Sequence, residues 1–147
     1  MSLESSYTTE IRIPQVQMTT HAANIQENPC LEILKMAMEK VARDHKGRID
    51  SYYSNNRGER IGCFLSVHTP DFPYGVGAII EDDGRVTFHY DAYRDKHSLG
   101  EKISNEINQN YVVIAVMKAQ QRLGFHITLK ENQNSSRRKT VNIVGIK

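Results

Sequence analysis

Apolar residues follow first a strand period and then a helix period in the first third of the chain. In "YTTEIRI" every second residue is apolar or β-branched, which predicts a strand that ends at Pro14. Its inward positions would be Tyr7, Thr9, Ile11 and Ile13. Residues 14–28 show no clear period and predict a surface loop.

The segment "NPCLEILKMAMEKVARDHKG" changes to apolar spacings of three and four residues and predicts an amphipathic helix. Asn28 would accept backbone hydrogen bonds as the N-cap, and Pro29 suits the first helical position. Gly47 would take the left-handed position after the last turn. The buried stripe would consist of Leu31, Leu34, Met38 and Val41.

Four strands are predicted next, in "RIDSYY", "RIGCFLSVH", "YGVGAII" and "RVTFHY". In the second of these, alternation places Ile61, Cys63, Leu65 and Val67 on the core face. Phe64, Ser66 and His68 would lie on the other face. Cys63 is therefore expected to be an inert, buried thiol.

The turn "EDDG" joins the last two of these strands, and its length fixes their register. A two-residue turn would put Glu81 on the apolar face beside Val86. A three-residue loop, with left-handed Gly84, pairs Glu81 with Arg85 and separates apolar from polar side chains, so we favour it. Tyr90 then belongs to the core, and the other, wetter face carries Thr87, His89 and Asp91.

A second helix of about 25 residues is predicted from the capping-box pair Ser98 and Glu101 to Gly124. One apolar stripe contains Ile103, Ile107, Tyr111 and Ile114, and a second contains Val112, Val116, Ala119 and Leu123, with Val113 beside it. A helix lying on one sheet needs a single stripe, so the second predicts deeper burial or a partner. "FHITL" and "TVNIVGI" predict two more strands.

Together these elements predict one α+β domain over residues 1–147, in the order β-α-β-β-β-β-α-β-β. We expect an antiparallel sheet of six or seven strands with the two helices packed on one face.

Composition removes several classes of function. The chain is 39% hydrophobic and 24% charged, and its net charge of +2 is too balanced to indicate a nucleic-acid or membrane partner. Cys30 and Cys63 lack the spacing of a zinc site or a disulfide framework. No run of 18 apolar residues occurs, and the N-terminus lacks the regions of a signal peptide, so we expect a cytoplasmic protein.

The stretch "HYDAYRDKH" holds two imidazoles and two carboxylates within nine residues. His89 and Asp91, with His68, could ligate a metal or perform acid–base chemistry; otherwise they belong to a solvated sheet face. We predict that His89 and Asp91 are neighbours, that His97 lies apart, and that no metal binds. Phosphate-loop and dinucleotide motifs are absent, so we predict no cofactor.

Cationic and aromatic residues suggest nucleic-acid binding as an alternative. The candidate phosphate contacts in "SSRRK" are Arg137, Arg138 and Lys139. The segment "YYSNNRGER" adds Tyr52, Tyr53, Arg57 and Arg60.

The second half has motifs of a known family: "YGVGAIIEDDGRVTFHYDAY", then "EKISNEINQNYVVIAVMKAQQRLGFHITLKE", then a final apolar strand. They resemble the hypothetical chloroplast reading frame thirty-five family of plastid, cyanobacterial and bacterial proteins. The resemblance covers residues 74–146 and, less closely, the first half. It implies this fold, and it implies no established reaction, cofactor or catalytic residue.

The sequence therefore predicts a small interaction or scaffold protein without catalytic activity. It would form a homodimer, or bind a protein partner, through Val112, Val113, Val116 and Ala119. A nucleic-acid-binding module is the alternative, and a small metal- or His–Asp-dependent enzyme is the third reading.

Overall fold

The computed structural model describes residues 3–14, 28–124, 126–135 and 138–146, the last two ranges by their backbone alone. The elements follow the predicted order. They are β1 (Glu4–Arg12), α1 (Pro29–Asp44), β2 (Arg48–Ser54), β3 (Arg60–Thr69), β4 (Phe72–Ile80), β5 (Arg85–Asp91), α2 (Leu99–Arg122), β6 (His126–Ser135) and β7 (Arg138–Ile146).

The main sheet is antiparallel and has five strands in the order β1-β5-β4-β3-β2. The α+β class is confirmed, but the prediction of six or seven strands in one sheet is wrong. Strands β6 and β7 pair with each other as a separate two-stranded sheet. A hairpin satisfies its inner backbone groups locally, so the apolar pattern of its strands does not reveal whether it joins a larger sheet.

Both helices pack on one face of the sheet and share one apolar core with it. Leu34, Met38 and Val41 of α1 are fully buried, as are Ile107 of α2 and Phe88 of β5. The predicted inward side of β1 is also confirmed, since its inward residues alternate with exposed ones.

The start of α1 agrees with the prediction and its end does not. The Asn28 side chain accepts hydrogen bonds from the backbone N–H groups of Cys30 and Leu31. Lys46, at φ 56°, takes the left-handed position that was assigned to Gly47. Gly47 instead donates its N–H to Ala42 at 2.7 Å. A Cβ on Gly47 would collide with the carbonyl oxygen of His68, so close packing rather than φ requires this glycine.

The β4–β5 hairpin has the favoured register. Ile80 pairs with Val86, and Gly84 adopts φ 86° in the loop. The Glu81 N–H donates to the Arg85 carbonyl at 2.9 Å. Tyr90 belongs to the core, as predicted.

Strand β3 departs from simple alternation. Its register with β2 shifts between Asp50 and Tyr52, which marks a bulge. Beyond it, Phe64 packs against the core, while the Sγ of Cys63 lies 3.1 Å from where a Cβ on Gly77 would stand, on the opposite face. The predicted faces of Cys63 and Phe64 are therefore wrong, because a bulge reverses the alternation that the sequence pattern assumes.

Candidate functional site

The face of the sheet opposite the helices is covered by the β2–β3 hairpin. Tyr53 is 2% exposed and lies over Gly77, and its hydroxyl donates to Oε1 of Glu4 at 2.5 Å. Thr87 and Asp91 are buried on this face. The expectation of a wet face is wrong, because the bulge in β3 lets the hairpin bend across the sheet.

Asp91 joins three segments of the chain beneath this cover. Its Oδ1 accepts hydrogen bonds from the backbone N–H groups of Leu3 and Tyr93, and its Oδ2 accepts one from Asn56, each at 2.9 Å. Burial by itself raises the pKa of Asp91, but these three hydrogen bonds outweigh it and hold the pKa below its ordinary value. The carboxylate is fully engaged in holding the fold.

His68 is buried and contacts residues of β2, β3 and β4. Its Nε2 lies 2.9 Å from the Ser66 hydroxyl and 2.8 Å from the Tyr52 carbonyl oxygen. Its Nδ1 lies 2.9 Å from the Pro73 carbonyl oxygen. The ring also fills the space where a Cβ on Gly75 would stand. His68 therefore fixes the backbone at the beginning of β4.

His89 is the remaining member of the candidate polar-face cluster of His68, His89 and Asp91, and among the described residues no hydrogen bond or ion pair links it to the other two. Its Nε2 lies 3.7 Å from Oε1 of Glu81, which is too far for a hydrogen bond. Each of the three side chains thus faces a separate set of partners. Across the described ranges, no group of three or more His, Cys, Asp or Glu side chains is arranged to hold a metal ion.

Cys63 has the character of an unreactive thiol. Burial raises its pKa to about 11, and hydrogen bonds involving Ser66 and Ala78 only partly offset this effect. The thiolate is the nucleophilic form, so little of it exists near neutral pH.

The stretch "HYDAYRDKH" covers the end of β5 and the turns that follow it, and it stops before α2 begins at Leu99. The capping box is wrong, however. Ser98 has φ 54° and its side chain makes no capping hydrogen bond. The carboxylate of Asp95 accepts from the N–H groups of Leu99 at 2.8 Å and Gly100 at 3.0 Å. Asp95 reaches these donors because the loop turns through left-handed residues, which the spacing of polar residues does not show.

A cleft of about 510 Å³ lies between this loop and the β3–β4 turn. Residues 71–74 form one wall, and residues 93–97 with Leu99 form the other. Sequence reasoning did not assign these residues to a site. The available signal was the pair of aromatic residues in "DFPY" and the aromatic and basic residues in "YRDKH". Only the fold shows that the two segments face each other.

The two stripes of α2 have different environments. Ile103, Ile107 and Tyr111 are buried in the core. On the second stripe, Val112 is 51% exposed, Val116 37% and Leu123 68%, and Ala119 is exposed as well. Val113, beside them, is half-buried.

The candidate phosphate contacts Arg137, Arg138 and Lys139 belong to the segment "SSRRK". Arg137 lies outside the described residues, and Arg138 and Lys139 are placed at the beginning of β7 by their backbone alone. In the aromatic segment, the guanidinium of Arg60 lies over the ring of Tyr52, 4.3 Å from its centroid. Tyr53 is buried, so a nucleobase has no access to its ring.

No protein-family model, curated protein or solved structure gives a significant match to this chain. The resemblance to the hypothetical chloroplast reading frame thirty-five family therefore stays a prediction. Within the described part of the chain, no helix has the length and apolar character needed to cross a membrane.

Proposed function

We propose that this protein is a non-catalytic interaction module that forms a homodimer through the second stripe of α2. The observation that carries the proposal is the exposure of this stripe on a helix whose other stripe packs into the core. Contiguous apolar residues left in water usually mark an interface.

The spacing of the stripe favours another helix as its occupant. Val112, Val116, Ala119 and Leu123 are separated by intervals of four, three and four residues, which is the spacing of a coiled-coil seam. The seam is about 16 Å long, or about three helical turns. A second copy of the chain carries the same seam, and a two-fold axis would let each copy cover the other. Because the seam is short, we expect association at micromolar concentrations.

The proposal also includes a location and a family. We place the protein in the cytoplasm, because Cys30 and Cys63 are free thiols, as is usual in a reducing compartment. The motifs shared with the hypothetical chloroplast reading frame thirty-five family, to which we assign the chain as part of the proposal, imply no reaction.

Val116→Glu tests the interface. We expect the wild type to have a dimer's mass by light scattering at high micromolar concentration, and the variant to be a folded monomer. A charge on an exposed seam remains hydrated in the monomer but loses its hydration in the dimer. Met36→Glu is the matched control, because Met36 is 40% exposed on α1, and it should remain a dimer.

Three outcomes would contradict the proposal. One is a monomeric wild type at high micromolar concentration, which leaves the seam to a different partner. Another is a Val116→Glu variant that is still a dimer. The last is a variant that unfolds while Met36→Glu does not, because the seam would then belong to the core of one chain.

A further inference from the structure

The cleft between the β3–β4 turn and the β5–α2 loop is held in place from both sides. On one wall, Nδ1 of His68 lies 2.9 Å from the Pro73 carbonyl oxygen. On the other, Asp91 accepts the Tyr93 N–H, and Asp95 accepts two N–H groups at the start of α2. These contacts fix the cleft before any ligand arrives, which lowers the entropic cost of binding.

The loop wall also stores backbone strain. Arg94 has φ 63° and Ser98 has φ 54°, and only one other described non-glycine residue, Lys46, has a positive φ. Left-handed conformations at non-glycine residues are concentrated at binding and active sites, where the surrounding structure maintains them. Here they direct the basic segment 94–97 along the cleft.

The lining combines aromatic rings with cations. Tyr74 is 36% exposed, and Tyr93 forms part of the opposite wall. The same loop exposes Arg94, Lys96 and His97. Neither Lys96 nor His97 forms an ion pair with a described residue. Both oxygens of Asp95 accept N–H groups at the start of α2, so they form no ion pair with these cations, although the carboxylate keeps its charge. The only other lining carboxylate is that of Asp71.

We propose that this cleft binds a nucleoside phosphate, with the base against the Tyr74 ring and the phosphates against Lys96, His97 and the guanidinium of Arg94, which lies over the Tyr93 ring, 5.4 Å from its centroid. Stacking requires a flat aromatic group, and the cations require an anionic one. The cleft volume lies within the range of about 300–1,000 Å³ that is usual for small-molecule sites. A net charge of +2 does not provide the broad basic surface that a nucleic-acid backbone needs.

Titration calorimetry with ATP, ADP and AMP tests this inference on the full chain. We expect ATP to bind and to lose about tenfold in affinity when Lys96 becomes Glu. Lys102→Glu is the matched control, since Lys102 is exposed on α2 outside the cleft lining, and it should change affinity less than about twofold. Tyr74→Ala should also weaken binding about tenfold through loss of stacking.

Adenosine and inorganic phosphate separate the two halves of the ligand. Each should bind at least about tenfold more weakly than ATP, because each can reach only one part of the cleft. Absence of binding by all three nucleotides at millimolar concentration would overturn the proposal. Equal binding of phosphate and ATP would overturn it too, as would equal effects of the Lys96 and Lys102 variants. A tight complex with single-stranded RNA that ATP cannot displace would assign the surface to nucleic acid instead.

Discussion

The substitution Asp91→Asn replaces one heavy atom and removes the charge of the side chain, and we expect it to destabilise the protein strongly. In Asp91→Asn, the amide oxygen can keep the hydrogen bonds from Leu3 and Tyr93, while the new NH₂ group faces the N–H of Asn56. The N–H of Asn56 and the amide N–H that faces it are then both left without an acceptor, at a cost of at least about 1–3 kcal/mol. The two remaining bonds lose their charge assistance, which adds to this cost.

Urea unfolding measures the effect. With a slope of about 2 kcal/mol per molar urea, a loss of about 2 kcal/mol moves the midpoint by about 1 M. Asp44→Asn is the control, because its carboxylate pairs with Lys40 at the surface and such pairs contribute less than about 1 kcal/mol. A midpoint for Asp91→Asn as close to the wild type as that of the control would refute the assigned role.

The same variant gives a signed pH test. The folded pKa of Asp91 is lowered, so its contribution to stability is complete above the unfolded pKa of about 3.9 and is lost as pH falls through the folded value. The difference in unfolding free energy between wild type and Asp91→Asn should therefore be constant near neutral pH and shrink in acid. A difference that grows on acidification contradicts the hydrogen-bonding account.

Two further predictions concern the local structure around the sites. Gly77→Ala should lower the free energy of unfolding by about 1–3 kcal/mol in urea, because the new Cβ would lie 2.5 Å from the ring of Tyr53. Gly62→Ala is the control: its Cβ meets no atom within 4 Å, so it should be nearly neutral. Equal losses for the two variants would show that Tyr53 does not lie over Gly77. Asp95→Ala should lower the melting temperature, because it removes a helix cap that stabilises the protein by about 1–2 kcal/mol. Ser98→Ala should have little effect, since the Ser98 side chain makes no capping hydrogen bond. A larger drop in melting temperature for Ser98→Ala than for Asp95→Ala would identify Ser98 as the cap.

The sequence determined the features that depend on neighbours along the chain. The apolar period fixed the order of strands and helices, the Asn28-Pro29 pair fixed the beginning of α1, and the three-residue loop at Gly84 fixed the register of one hairpin. Each follows from backbone geometry over a few residues, where the chemistry of individual side chains decides the outcome.

Tertiary structure decided every feature that depends on contacts between distant segments. The bulge in β3 allows the β2–β3 hairpin to cover the sheet face that the alternating pattern predicts to be exposed. There the N–H of Asn56 donates to the buried Asp91, 35 residues away along the chain. The cleft required the β3–β4 turn and the β5–α2 loop to meet, and the separation of β6 and β7 from the main sheet depended on which edges find partners. Local periodicity cannot determine these features, because they are set by packing among residues that share no fixed spacing in sequence.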